Sequence, residues 1–351
     1  MKNSIKNSLR ISALAAASVL MFASCNDWTE PEGLDIKTPS VDSNLYADYL
    51  NNLKTYKSGA HKAVFVTYEN SKEAPANQSG HLTVLPDSVD FISLNNPDAL
   101  HATTADEMSQ VREKGTRVIY NIDFPSFEAE WLQIVKDDQT GELTEESALA
   151  YFTKRTGELL ALCDKWGYDG ITFTYLGRSP VSLTEAEKAV YDARQKSFLT
   201  PIAEWRAAHK SKSFSFAGNP NFLLDENKTL LAECDYIVLQ TDAVANEDDL
   251  TLRSLYAVKS ADVPADRIVV SAQTTRPGDE KLLYGYFGTF DEAGNPVRAI
   301  SGCARWTVLP SPSFTRAGLM IRDAQYDYFD NTLVYRNIRE AIGIMNPSPK
   351  N

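Results

Sequence analysis

Tyr168-Asp-Gly-Ile-Thr-Phe-Thr-Tyr-Leu176 is the stretch of this 351-residue chain that decides its fold. Successive side chains of a β-strand point to opposite faces, so Thr172, Thr174 and Leu176 would share one face of a strand here. The other face would be formed by three large side chains: Ile171, Phe173 and Tyr175. The stretch therefore predicts a strand with one face that is wholly apolar and aromatic.

Seven further apolar runs of strand length occur along the chain. They are 62–68, 89–94, 117–122, 213–217, 235–240, 267–271 and 299–308. Helical patterns separate most of them, which is typical of parallel strands joined by helices. Eight such strands predict a single (β/α)8 TIM barrel over residues 41–351, a size that this fold often reaches as one domain. The face with Thr172, Thr174 and Leu176 is then expected to point at the barrel axis.

Local signals place three of the connecting helices. The clearest runs over residues 144–166 and is ended by Gly167. Thr184 and Glu187 have the spacing of a capping box for the next helix. Pro201 suits the first turn of a further helix.

The N-terminus has the composition of a secretion signal. Three basic residues precede an apolar stretch at 11–22 that is too short to span a membrane. Small residues then lead to Cys25, a pattern that resembles a bacterial lipoprotein signal. We therefore expect a signal peptide at residues 1–24, a lipid anchor on Cys25 and a flexible tether over residues 25–40.

The start of the tether is acidic and resembles the export signal of Bacteroidetes-type surface lipoproteins, although a plain linker would have a similar composition. The resemblance predicts an outer-membrane protein that is lipid-anchored and exposed at the cell surface. The whole chain has a formal net charge of −12, and removing the three basic residues of the signal makes it −15. Such acidity argues against nucleic-acid binding, which needs a basic surface, and it is compatible with a neutral ligand such as a sugar.

Cysteine and histidine residues give no sign of a disulfide framework or a metal centre. Cys163, Cys234 and Cys303 lie in apolar contexts and are expected to be buried thiols. The four histidines lack metal-ligand spacing. Residues 137–141 have the composition of a calcium loop without its spacing, so we expect neither a metal nor a cofactor.

The opening stretch closely resembles the fourth-strand signature of glycoside hydrolase family 18, the chitinases and endo-β-N-acetylglucosaminidases, which reads Asp-Gly-x-Asp-x-Asp-x-Glu. Asp169 and Gly170 match its start, whereas Thr172, Thr174 and Leu176 replace its three later carboxylates. In that family the substrate's own acetamide attacks the anomeric carbon while the final Glu protonates the leaving oxygen. Leucine cannot donate a proton, and losing a positioned general acid costs roughly 10²–10⁴ in rate. The resemblance therefore implies a barrel that does not cleave glycans in the family's way.

The resemblance also suggests two residues that would contact a sugar. Trp306, expected near the end of the eighth strand, matches the tryptophan that forms the floor of the family's sugar subsite, where an aromatic face stacks on a pyranose. Gln240, at the end of the sixth strand, fits a position near the acetamide. A tryptophan that only closes the barrel core is the alternative for Trp306.

Further polar residues follow other strands, at the end where barrel sites are built. The candidates for ligand binding are Glu69, Asn95, Asp123 and Asn219. Amides suit sugar hydroxyls because they both donate and accept hydrogen bonds, but loop solvation explains each of them equally well. An aromatic segment at 284–290 is either a glycan platform or a small packed hairpin.

Three functions remain open from the sequence. The first is a non-catalytic surface lipoprotein that binds N-acetylglucosamine-containing glycans for uptake. The second is an active endo-β-N-acetylglucosaminidase-type hydrolase with relocated carboxylates, for which Glu69 and Asp123 are the candidate pair. The third is an interaction subunit of an outer-membrane glycan-uptake complex, in which the fold would say nothing of function.

Overall fold

The computed structural model describes residues 43–329 and 332–347. The expected signal peptide, Cys25 and the tether over residues 25–40 lie outside the described residues. The described residues from Asp48 onward form one compact unit. No helix of the described residues is long and apolar enough to cross a membrane.

Eight parallel strands close into a barrel, which confirms the predicted (β/α)8 fold. Seven follow each other around the barrel: Ala63–Tyr68 (β1), Phe91–Leu94 (β2), Arg117–Asp123 (β3), Gly170–Tyr175 (β4), Ser213–Gly218 (β5), Tyr236–Leu239 (β6) and Ile268–Gln273 (β7). A two-stranded hairpin comes next, formed by Tyr286–Phe290 (β8) and Pro296–Arg298 (β9). Arg316–Arg322 (β10) then pairs with both β7 and β1 and closes the barrel.

Helices follow most of the strands. Their bounds are Ser43–Ser58 (α1), Ala102–Glu113 (α2), Phe124–Asp137 (α3), Glu145–Leu160 (α4), Leu162–Trp166 (α5), Glu185–Ala208 (α6), Glu247–Ala257 (α7), Ala299–Thr307 (α8) and Arg336–Met345 (α9). The helix expected over residues 144–166 divides at Ala161 into α4 and α5, and Gly167 ends it in the left-handed conformation at φ 66°. The Thr184–Glu187 capping box is present. Pro201 begins no new helix, because α6 continues through it.

The prediction that residues 299–308 form the eighth strand is wrong. Ala299–Thr307 is the helix α8, and the eighth barrel strand is β10. Buried residues cover nearly every position of α8, so its sequence shows no polar face from which a helical period could be read. Gly302 lets the helix approach the hairpin closely, since a Cβ at that position would lie 2.2 Å from the ring of Phe287.

The Asp-Gly pair of the opening stretch fixes the entry to β4. A Cβ on Gly170 would lie 2.0 Å from the carbonyl oxygen of Ser213, so only glycine allows β4 and β5 to approach here. Both carboxylate oxygens of Asp169 accept from Arg112 Nε, at 2.9 and 3.0 Å, and one also accepts from the amide of Val118 at 2.8 Å. These contacts lie at the amino end of the barrel strands, the end that serves stability in this fold.

Side chains fill the barrel in two layers. Between strands and helices, the outer core includes the three large residues expected on the helix-facing side of β4: Ile171, Phe173 and Tyr175. Inside the barrel, the rings of Phe65 and Phe91 stack with their centroids 4.3 Å apart, and Tyr236 packs edge-on against both. Beyond this packing, a cavity opens towards the carboxyl ends of the strands.

The three cysteines that follow Cys25 in sequence are buried and free, as expected. Burial raises the pKa of the Cys163 thiol to about 11. It also raises the pKa of the Cys234 and Cys303 thiols. Raised thiol pKa values make these residues poor nucleophiles near neutral pH.

Candidate functional site

A cavity of about 200 Å³ opens at the carboxyl ends of the barrel strands. We call it the mouth cavity. It is lined by Thr67, Ser93, Asn95, Asn121, Thr172, Thr174, Ala217, Met320, Arg322 and Asp323. Active sites of (β/α)8 barrels are built at this end, so the mouth cavity is the candidate functional site.

Thr172 and Thr174 face the barrel axis, as the alternation of β4 predicts. Thr174 Oγ1 donates to Oδ1 of Asn121 on β3 at 2.8 Å. Thr172 is 2 % exposed, and its hydroxyl has no hydrogen-bond partner among the described residues. A buried hydroxyl without a partner is costly, so a ligand group or a water would lower the free energy here. Neither residue can carry a negative charge.

Leu176 does not line the mouth cavity. Strand β4 ends at Tyr175, and Leu176 lines a separate groove of about 620 Å³ together with residues of α3 and α6. Its carbonyl oxygen accepts from Asn219 Nδ2 at 3.1 Å. The position where family 18 has its acid therefore holds an apolar side chain outside the lining of the cavity.

Two carboxylates that the sequence reasoning missed lie at the mouth. Arg322, at the end of β10, lies with its Nε 2.9 Å from Oδ2 of Asp242, which follows β6. Burial raises the pKa of the Asp242 carboxyl, while the Arg322 charge acts in the opposite direction. Asp323 accepts from Gln273 Nε2 at 2.6 Å and pairs with Arg276 at 3.2 Å. A prediction that places the eighth strand at Arg316–Arg322 also predicts Arg322 and Asp323 as site residues, because both stand at its carboxyl end.

The carboxylates proposed from the sequence as a relocated catalytic pair have local structural roles. Glu69 is exposed and accepts from the side-chain amides of Asn95 and Asn96, each at 3.0 Å. Asp123 caps α3 by accepting from the amide of Ser126 at 3.2 Å and from its hydroxyl at 2.6 Å. Among these two carboxylates and the amides that contact Glu69, only Asn95 lines the mouth cavity. Neither Glu69 nor Asp123 lines it.

Gln240 and Asn219 lie outside the mouth cavity. Both line a smaller cavity of about 120 Å³ between the ends of β5 and β6 and the helix α7. The expectation that they contact a ligand in the barrel mouth is therefore not met by their positions. Strand β6 already ends at Leu239, so the side chain of Gln240 is no longer set by the barrel alternation.

Trp306 does not form a floor for a sugar. It lies on α8, is 1 % exposed, and donates from Nε1 to Thr251 Oγ1 at 2.9 Å. The Arg316 guanidinium lies 4.1 Å from its ring centroid, and Phe314 stacks on it at 5.9 Å. The prediction of an exposed Trp306 at a strand end is wrong because that segment is a buried helix, and the alternative of a core tryptophan describes the residue.

The aromatic segment at 284–290 is a hairpin with mixed exposure. Phe287 is buried and packs against α8 at Gly302. Tyr284 and Phe290 are exposed. The segment thus packs as a small hairpin and still presents aromatic surface. The described residues contain no group of three or more His, Cys, Asp or Glu placed to hold a metal ion.

Comparison with known proteins identifies the family. The model of glycoside hydrolase family 18, BT1044-like, matches residues 29–344. The chain belongs to this family. No curated protein matches the chain.

Solved structures share the barrel at low sequence identity. A selenomethionine form of BT1044 with a glutamate-to-glutamine substitution is 16 % identical, with a TM-score of 0.59 over 86 % of this chain and 93 % of that one. An endo-β-N-acetylglucosaminidase from Cordyceps militaris is 14 % identical, with a TM-score of 0.57 over 85 % and 95 %. The catalytic domain 2 of an Ostrinia furnacalis Group II chitinase is 11 % identical, with a TM-score of 0.52 over 82 % and 97 %. At these identities the likeness establishes the fold.

Proposed function

We propose that this chain is a non-catalytic glycan-binding protein on a family 18 barrel. One observation carries the proposal: β4 contributes the hydroxyls of Thr172 and Thr174 to the mouth cavity and no carboxylate. The carboxylate in the lining, Asp323, comes from the end of β10 and is paired with Arg276. Threonine hydroxyls donate and accept hydrogen bonds as sugar hydroxyls require. They cannot protonate a leaving group or balance a developing positive charge.

The ligand class that we propose is a glycan containing N-acetylglucosamine, of the N-glycan or chitooligosaccharide type. The family match supports this class. So do the substrates in the names of structural neighbours: an endo-β-N-acetylglucosaminidase bound to fucosyl-N-acetylglucosamine-Asn and a chitinase bound to a chitooligosaccharide.

We further propose that Cys25 is lipidated and that the protein acts at the outer surface of the outer membrane, in glycan uptake. The support is the signal-like N-terminus. The wild type should incorporate radiolabelled palmitate, and Cys25→Ala should abolish this incorporation. Co-purification with an outer-membrane transporter in the absence of sugar would instead favour a role as an interaction subunit.

Calorimetry against chitotetraose and a high-mannose N-glycan tests glycan binding. Asn121→Ala removes an amide from the mouth cavity and should weaken binding roughly fivefold to tenfold, the effect of one net hydrogen bond. Asn51→Ala, an exposed amide on α1, is the matched control and should bind as the wild type does. Absence of binding by the wild type across both glycans would refute the proposed function.

Hydrolysis is the second candidate, and one observation favours it. Asp242 is a carboxyl at the barrel mouth with a pKa raised by burial, and raised pKa values are characteristic of general acids in glycosidases. Incubation of a high-mannose glycoprotein with a high concentration of the protein should release no glycan. Release by the wild type that is lost in Asp242→Asn would establish the hydrolase instead.

A further inference from the structure

Two loops meet beside the mouth cavity and enclose an arginine between aromatic rings. Residues 274–285 follow β7, and residues 323–329 follow β10. The guanidinium carbon of Arg276 lies 3.9 Å from the ring centroid of Tyr284 in the first loop and 5.2 Å from that of Tyr326 in the second. We call Arg276, Tyr284, Tyr326 and Asp323 the rim cluster.

The rim cluster is continuous with the mouth cavity through Asp323. This carboxylate lines the cavity and pairs with Arg276 at 3.2 Å. Its backbone is held in the left-handed region at φ 58°, and its amide donates to Thr67 Oγ1, another lining residue, at 2.9 Å. A non-glycine residue at positive φ is strained and persists where the surroundings hold it in place. Asp323 therefore connects the cavity to the rim at a fixed position.

Hydrogen bonds also order the first loop. The hydroxyl of Thr274 donates to the carbonyl oxygens of Arg322 and Asp323, at 3.1 and 2.8 Å. The amide of Tyr284 donates to Asp279 Oδ2 at 2.9 Å. The aromatic rings are thus presented on ordered loops, which lowers the entropy cost of binding a ligand.

The chemistry of the rim cluster suits a sugar. Tyr284 and Tyr326 are each 36 % exposed, so part of each ring faces solvent. Aromatic faces pack on the apolar C–H face of a pyranose. The planar guanidinium, carboxylate and amide of Arg276, Asp323 and Gln273 offer donors and acceptors beside those rings. Apolar contact together with a few placed polar groups is the usual form of a ligand site.

The small volume of the mouth cavity gives a reason to expect a second subsite. The mouth cavity of about 200 Å³ is below the roughly 300–1,000 Å³ of pockets that take drug-sized ligands. One sugar ring suits it, but an oligosaccharide must continue outside. The rim cluster adjoins the cavity lining, because Arg276 lies against both tyrosine rings and pairs with the lining residue Asp323.

We propose that the rim cluster is a second sugar subsite, which binds the next residues of an oligosaccharide whose end occupies the mouth cavity. This inference rests on the proposed glycan-binding function. It assigns the β7 and β10 loops the task of selecting oligosaccharides over monosaccharides.

The test compares ligands of two lengths. Chitotetraose is titrated by calorimetry, and N-acetylglucosamine by ligand-observed NMR. Tyr284→Ala and Tyr326→Ala should each weaken tetrasaccharide binding roughly fivefold, as expected for one aromatic contact, and leave monosaccharide binding unchanged. Tyr284→Trp keeps an aromatic face and should restore the wild-type affinity. Asn121→Ala should weaken the binding of both ligands.

Tyr49→Ala is the matched control, because Tyr49 is an exposed tyrosine that pairs with Asp87 before β2, at the amino end of the strands. Its affinities should equal those of the wild type. If the wild type binds neither sugar, the proposed function fails. If the wild type binds chitotetraose and both rim variants bind it equally well, the subsite is overturned, and the exposed rim would be a surface for protein contact.

Discussion

Arg322 adds an electrostatic reason to doubt hydrolysis at the mouth cavity. In family 18 chemistry positive charge develops on the sugar, and nearby carboxylates stabilise it. Here the lining contributed by β4 is neutral, and Arg322 brings a cation to the same cavity, partly balanced by Asp242 at 2.9 Å. A cation disfavours the development of positive charge nearby. Threonines in place of the family's acids and the position of Arg322 thus both disfavour the development of positive charge on a sugar in the cavity.

A residue-scale prediction concerns Trp306. Trp306→Ala should lower the free energy of unfolding by roughly 3–5 kcal/mol, because it removes a fully buried indole and the partner of Arg316. Urea denaturation followed by circular dichroism measures the change. Trp306→Phe keeps most of the apolar volume and should lose less stability. A variant that kept its stability but lost glycan affinity would contradict the assignment of Trp306 to the core.

At the scale of elements, seven of the eight barrel strands could be predicted from sequence because each is an apolar run between helical patterns. The eighth could not. Ala299–Thr307 is buried on nearly every side, so its composition resembles that of a buried strand. The true strand, Arg316–Arg322, begins and ends with arginine.

The misplaced strand accounts for much of what the sequence missed at the site. The pattern assigns Trp306 to a strand end that does not exist, and it does not indicate Arg322 and Asp323, which stand at the end of the true eighth strand. Thr172, Thr174 and Asn95 line the mouth cavity, as the positions of their strands predict, whereas Leu176 does not because β4 ends at Tyr175. Interactions across loops, such as Arg276 between two tyrosines, leave no periodic signal in a sequence.

The close contact of β4 and β5 gives a prediction at this scale. Gly170→Ala should destabilise the protein by roughly 3 kcal/mol or more, because the added Cβ meets the backbone oxygen of Ser213, which cannot turn away. Gly157→Ala is the matched control: on α4 the added Cβ meets nothing within 4 Å, and alanine should stabilise the helix by up to about 1 kcal/mol. Thermal unfolding of both variants measures the difference. Equal melting temperatures would contradict the β4–β5 contact.

For the whole molecule, the two ends of the barrel have separate tasks. The mouth at the carboxyl ends of the strands carries the candidate sites. The amino end carries a cluster that joins α1 to the strands: Lys57 donates to Val89 O at 2.7 Å and to Thr116 Oγ1 at 2.6 Å, and His61 Nε2 lies 2.9 Å from Asp90 Oδ1. This separation is usual for (β/α)8 barrels, and Lys57 and His61 place two pH-dependent contributions to stability at the amino end.

The directions of two pKa shifts define the expected pH dependence. The hydrogen bond to Asp90 raises the pKa of His61 above its ordinary 6.5. The stability that protonated His61 contributes is therefore present below pH 6.5 and is lost as the pH rises through the pKa of His61 in the folded state. Burial lowers the pKa of Lys57 from 10.5 to about 8. The unfolded chain then binds more protons than the folded one between about pH 8 and 10.5, so stability rises with pH in that window, by about 3 kcal/mol for this group.

Urea denaturation at a series of pH values tests this dependence. His61→Gln should remove the fall in stability above pH 6.5, and Lys57→Met should remove the rise above pH 8 while making the protein more stable near neutral pH, since no buried cation has to be formed. Because both side chains face Asp90, the two titrations are coupled, and the double variant should give the flattest profile. Chitotetraose affinity should be the same in all three variants and the wild type, because none of the substituted side chains lines the mouth cavity. A loss of affinity that follows the loss of stability would show that the two ends of the barrel are coupled.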